Sequence, residues 1–135
     1  MALRDYVYQL LANDSVLNGL GIDGNSLHTV NDTDTPQERP YTTIRWGNTN
    51  PGLNASYTMI FRDFQIWVHD VPGDYTKIDN ILLRIRQLLT GVEGANAGAG
   101  FVSMVEWEGD SDDLSDDAQG TITRYGEFHL VGSAA

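Results

Sequence analysis

Apolar residues along the chain follow two rhythms, and the changes between them mark the elements. Leu3, Tyr6, Val7, Leu10 and Leu11 recur at the i, i+3, i+4 spacing of a helix with one buried face. Asn13, Asp14 and Ser15 interrupt it, and Ser15 is placed to cap a short turn that Gly19 and Gly21 end near Leu20. Ser26 to Asn31 alternates weakly, as a short strand would. Thr33 to Pro40 reads as a loop. Tyr41 to Trp46 is β-branched and aromatic, with Thr42, Ile44 and Trp46 on one face. A polar turn region follows from Asn48 to Tyr57. Arg62 to His69 is the clearest strand: Phe64, Ile66 and Val68 face one way, Gln65, Trp67 and His69 the other.

Val71-Pro72-Gly73-Asp74 makes a turn into the longest helix, Tyr75 to Leu89. At 100° per residue, Tyr75, Ile78, Ile81, Leu82, Ile85, Leu88 and Leu89 fall on one stripe, with Lys77, Asn80, Arg84 and Gln87 opposite. Asp74 or Thr76 is placed to cap it, and Gly91 to end it in a left-handed conformation. Glu93 to Gly100, rich in Gly and Ala, predicts a flexible connection. Phe101 to Glu108 reads as a strand with Phe101, Val105 and Trp107 on one face, Gly109 to Gly120 as an acidic loop, and Thr121 to Val131 as a final strand. In that strand Ile122, Phe128 and Leu130 share a face with Arg124 and Gly126. The pattern predicts a single α+β domain over residues 1–135. Its mainly antiparallel sheet of about four to five strands carries the long amphipathic helix and the N-terminal helix on one face.

Charge narrows the function classes. The formal net charge is −11, from 19 Asp and Glu against 8 Lys and Arg. Such a surface repels nucleic acid and argues against a site that neutralises many phosphates. Seven carboxylates (Glu106, Glu108, Asp110, Asp112, Asp113, Asp116 and Asp117) lie within twelve residues that contain no Lys or Arg. With no Cys, disulfides and thiolate chemistry are impossible. No leader sequence and no membrane span is expected.

The sequence offers no compact catalytic set. Asp110-Ser111-Asp112-Asp113-Leu114 begins like a calcium loop, but Leu114 stands at a ligand position and the turn Gly and closing Glu are missing. Asp32 and Asp34 fail because Pro36 takes the next alternating position. His28, His69 and His129 lack metal-ligand spacing and read as surface or interface residues, although His69 and His129 approach each other if their strands pair. There is no nucleophile elbow, P-loop or dinucleotide fingerprint. No catalytic residue, cofactor or metal is therefore expected. Trp46, Trp67 and Trp107 lack the interleaved basic residues of a stacking platform, so core packing is their expected role. Trp67 is the exception, falling opposite the Phe64, Ile66 and Val68 face. It, exposed Leu83 on the polar side of the long helix, and Asn48, Asn50 and Asn54 in the uncharged loop are the candidate subunit contacts.

Taken in order, several segments resemble the tail terminator proteins of long-tailed bacteriophages. They are the opening helix; Asp14-Ser15-Val16-Leu17; Pro40 before the strand Tyr41-Thr42-Thr43-Ile44; and Trp67-Val68-His69-Asp70 at a strand end. The segment from Asp74 to Leu82 then opens the long helix, and an acidic hairpin leads to the terminal strand from Arg124 to Val131. The resemblance lies in order and spacing across nearly the whole chain. It implies a non-enzymatic virion protein, assembled in the host cytoplasm, that forms a homo-oligomeric, hexameric ring. Such a ring caps the tail tube protein, ends tube growth and meets a head-completion or neck protein. DNA passes through the channel without specific binding, and no membrane is involved. The seven carboxylates are then expected at the channel or at a docking surface. Two other readings remain open at this point: a different neck or connector ring, and a small acidic ligand-binding or enzymatic domain.

Overall fold

The computed structural model describes residues 2–28, 40–51, 59–97, 100–118 and 120–133. Its elements in chain order are α1 (Ala2–Ala12), α2 (Ser15–Gly19), β1 (Leu27–His28), β2 (Tyr41–Pro51), β3 (Met59–Asp70), α3 (Thr76–Thr90), β4 (Glu93–Ala97), β5 (Gly100–Asp110), β6 (Leu114–Asp116) and β7 (Thr121–Ser133). The strands form one sheet in the order β1-β2-β3-β7-β5-β4, with β6 paired to β7. Among the described residues, only β1 and β2 run parallel. The α+β class is as the pattern predicts.

The sheet has seven strands, not four or five. β4 is one of the additions, in the Gly- and Ala-rich stretch expected to be a flexible connection. Its weak β-propensity is overridden by position, because the chain leaving α3 lies beside β5 and pairs with it, Ala95 opposite Val102. β6 arises inside the acidic loop, where Leu114, Ser115 and Asp116 pair with Thr123, Ile122 and Thr121 across a turn in which Gly120 takes φ 63°. β2 continues to Pro51, through the start of the polar turn region expected from Asn48. Residues 52–58, with Asn54, lie outside the described residues. So do residues 29–39, with the end of the expected first strand and nearly all of the loop after it. Gly91 is not left-handed: its φ is −80°, and the positive φ falls at Gly94, at 72°, inside β4.

Alternation on the two central strands separates the faces of the sheet. Phe64, Ile66 and Val68 of β3 and Ile122, Phe128 and Leu130 of β7 are buried on one face. Val102 and Val105 of β5 and Ile44 of β2 extend the same cluster. Leu3, Val7 and Leu11 of α1 and Ile78, Ile81, Leu82, Ile85 and Leu89 of α3 cover it. Two bulges in β5, between Val102 and Met104 and between Trp107 and Gly109, break the expected alternation there. The bulge between Val102 and Met104 turns Phe101 to the face opposite Val105, correcting the expectation that the two share a core face; Trp107, opposite Phe128, keeps the face of Val105 but is 40% exposed. Instead of packing in the core, the Trp107 ring lies under the Arg86 guanidinium at 4.3 Å. Gly132 is fixed by space, because a Cβ there would stand 2.4 Å from the Phe101 carbonyl oxygen.

An ion pair ties the start of α2 to α3. Asp14 accepts from the Leu17 backbone N–H at 2.9 Å, capping α2. It also receives Arg84 of α3 in a two-pronged bond, Nε to Oδ2 at 3.0 Å and Nη2 to Oδ1 at 2.7 Å. The Arg84 hydrogen bond is the main reason the Asp14 carboxyl is held below its ordinary 3.8, while the carboxylate holds the guanidinium above its own ordinary value. A depressed carboxyl contributes stability above its unfolded pKa and loses it as pH falls through the folded value. Asn caps helices about as well as Asp, so Asp14→Asn removes mainly the ion pair. Wild type is therefore expected to exceed Asp14→Asn in urea midpoint at neutral pH, and the gap is expected to close below about pH 4.

Candidate functional site

The predicted acidic set does not form one loop. Glu106, Glu108 and Asp110 are on β5, Asp112 and Asp113 on the connection after it, Asp116 on β6 and Asp117 just beyond. At roughly 3.3 Å per strand residue, Glu106 and Asp110 are separated by roughly 13 Å. The acid thus runs along β5 and around one end of the sheet. Glu106, Glu108, Asp110, Asp112, Asp113 and Asp117 are exposed, while Asp116 is half-buried.

This end is held by named bonds. Ser111 and Tyr125 exchange contacts: the Ser111 N–H donates to the Tyr125 carbonyl at 2.7 Å, and the Tyr125 N–H donates to Ser111 Oγ at 3.0 Å. Arg124 donates twice to the Ser111 carbonyl, from Nε at 3.0 Å and Nη2 at 2.8 Å. Its Nη1 reaches Asp79 of α3 at 2.6 Å, and Asp113 lies 3.6 Å from Nε. The Tyr75 hydroxyl donates to the Leu114 carbonyl at 2.7 Å, and Trp107 Nε1 donates to Asp110 at 3.0 Å. Arg124 was legible only as a lone arginine on the apolar face of the last strand. Its proximity to an acid-rich segment was the signal that could have marked it as the clasp.

On the face away from the helices, Arg45, Gln65 and Glu127 lie in one cross-strand row and Thr43, Trp67 and Tyr125 in the next. Trp67 stacks on Tyr125 with ring centroids 4.4 Å apart and lies under Arg45 at 4.5 Å. Its Nε1–H donates to Gln65 at 3.0 Å, and Gln65 Nε2 donates to Glu127 at 2.9 Å. The stack leaves Trp67 half-buried. Further along the same face, His129 Nδ1 and Asp63 Oδ1 are 2.7 Å apart, and the His129 ring packs against Phe61 at 5.4 Å. A cavity of ≈ 460 Å³ opens nearby, with Arg45, Asp63, Gln65, Glu108 and Glu127 among its walls. Its lining supplies carboxylates, a guanidinium and an amide.

The remaining predicted contacts scatter. Leu83 is 43% exposed on α3, in the helix layer, whereas Trp67 is on the opposite side of the sheet. Asn48 is exposed on β2, Asn50 sits on the same strand opposite Phe61, and Asn54 lies outside the described residues. The expected approach of His69 to His129 does not occur. Their strands pair, but His69 is opposite Thr123 and His129 opposite Asp63, six positions apart. Nor is His69 at the surface: it is 1% exposed, stacked on Tyr41 at 4.5 Å, with Nδ1 2.9 Å from Thr121 Oγ1.

Arg124 tests whether the acidic end is held as described. Arg124→Gln is expected to lower stability by about 1–2 kcal/mol, the lower part of the charged hydrogen-bond range because Arg124 is partly exposed. Hydrogen exchange from Ser111 to Asp117 should quicken more than in the β3–β7 pair. Unchanged exchange there would show that the clasp does not order the segment.

No family model matches this sequence, and no curated protein matches it. The fold does have a solved counterpart. A chain of the virion of a native gene transfer agent (GTA) particle superposes with a TM-score of 0.78 at 15% identity, covering 95% of this chain and 92% of that chain.

Proposed function

We propose that this chain is a structural virion protein of the tail-terminator kind. It forms a hexameric ring that caps the tail tube, stops its polymerisation and joins the tail to the neck, leaving a channel for DNA. The observation that carries this reading is the fold shared over nearly the full length of both chains with a component of a virion particle. The order of sequence segments that resembles tail terminators points the same way. Another ring of the neck draws on the same likeness and is the second reading.

The surfaces support a subunit of a closed ring. Head-to-tail contacts require two unlike patches on each copy. The aromatic row of Trp67 and Tyr125 and the helix-layer patch around Leu83 are unlike and lie on opposite sides. Phe101 and Met104 are exposed on β5 near the end where it pairs with β4, adding apolar area next to a sheet edge. The carboxylates from Glu106 to Asp117 then serve in one of two ways. Facing the channel, they keep DNA phosphates from lingering. Facing outward, they meet basic residues of the tube or neck protein, and that contact weakens with salt.

The proposal is tested by adding the protein to assembling tail tube protein and measuring tube lengths and ends by electron microscopy. Rings at tube ends and arrested growth are expected; tubes that lengthen unchanged and bare-ended would overturn the terminator reading. Replacing Asp112, Asp113, Asp116 and Asp117 together with Asn separates the two roles of the acid. Loss of tail joining assigns docking, and normal joining with altered DNA ejection assigns the channel.

A further inference from the structure

We infer that Asp63, Glu108 and His129 form a binding site for one divalent first-row transition ion, best suited to Zn²⁺. One donor atom from each lies within 4.8 Å of the other two. Donors around a tetrahedral zinc at 2.0–2.2 Å are roughly 3.3–3.5 Å apart, so small side-chain rotations close the set. The three residues come from three adjacent strands, β3, β5 and β7, in the middle of the sheet. Asp63 is directly opposite His129, and Glu108 is the extra residue of the bulge between Trp107 and Gly109. Donors fixed to neighbouring strands are held more closely than donors on loops.

The surroundings favour an ion at this place. The imidazole is held by the ring of Phe61, and its Nδ1 lies 2.7 Å from Asp63, a hydrogen bond that the ion replaces when both groups ligate it. Two carboxylates balance a dication, and a net charge of −11 draws cations to the surface. The ≈ 460 Å³ cavity has both Asp63 and Glu108 in its wall, so water or another ligand reaches the open side of the ion. Glu106 lies opposite His129 on β5 as a further oxygen donor. One imidazole with carboxylates suits zinc and its neighbours, whereas magnesium and calcium prefer all-oxygen sets. The sequence concealed this trio because its members are far apart in the chain and lack helical ligand spacing.

The site stands apart from the assembly reading, and its failure would leave that reading untouched. The test uses the full chain, stripped with chelator and titrated with Co²⁺ and then Zn²⁺. Visible absorption reports coordination of cobalt, and calorimetry reports stoichiometry. One cobalt per chain, displaced by zinc, is expected. His129→Ala and Glu108→Gln should each weaken binding by roughly tenfold or more, with metal-free circular dichroism unchanged. Asp112→Asn/Asp113→Asn should bind as wild type does. Glu108→Gln, nearly isosteric and exposed, decides the matter if His129→Ala folds poorly. Absence of saturable one-to-one binding, or binding that survives Glu108→Gln and falls with the Asp112 and Asp113 pair, would overturn the site.

Discussion

The register between β3 and β7 is the constraint on which the rest of the structure depends. Twelve consecutive pairs run from Met59 opposite Ser133 to Asp70 opposite Ile122, without a bulge. A slip by one residue would turn every side chain of a strand to the other face. In the observed register Phe64 meets Phe128, with rings 5.4 Å apart, beneath the helices. The same register sets Trp67 beside Tyr125, Gln65 beside Glu127 and Asp63 beside His129 on the opposite side. Core and candidate site are thus two sides of one pairing, and neither changes without the other.

This geometry gives the molecule two working surfaces with different chemistry. The helix layer presents Arg84 and Asp14, bonded to each other, and Leu83 beside them on α3. The opposite face presents stacked rings, an imidazole and several carboxylates. A plate with unlike sides, acid around one end and exposed apolar residues on β5 is suited to repeated contact with copies of itself. The cavity on the face away from the helices is lined by carboxylates, a guanidinium and an amide. The proposed ring uses these properties directly. It asks the sheet to be stiff, the edge strands to meet partners and the acidic end to stay in place, which the Arg124 clasp achieves by binding both α3 and the segment after β5.

Much of the fold was legible because its strongest elements carry clean periods. The stripe from Ile78 to Leu89 and the alternation from Phe64 to Val68 appear where the spacing places them. The failures have local causes. β4 is built from residues with little preference for strands, and only its place beside β5 makes it one. The turn of Phe101 away from the core face follows from the bulge between Val102 and Met104, which composition does not signal. His69 was misplaced because a polar residue on an alternating strand reads as outward-facing, while here Tyr41 stacks on it. The acidic residues were found, but their division between β5 and the segment beyond it was not, since the strand continues to Asp110. Neither Arg124 with Ser111 nor Asp63 with His129 has any mark in local sequence. Such pairs are created by register and are separated by 13 and 66 residues.

The central claim, that this plate is a subunit of a closed ring, is tested most directly by molar mass. Light scattering across a wide concentration range, with and without assembled tail tubes, reads it without any variant. A discrete multimer in solution, or a monomer converted to one on tube ends, is the predicted result. A monomer at every concentration that leaves tubes untouched would contradict it.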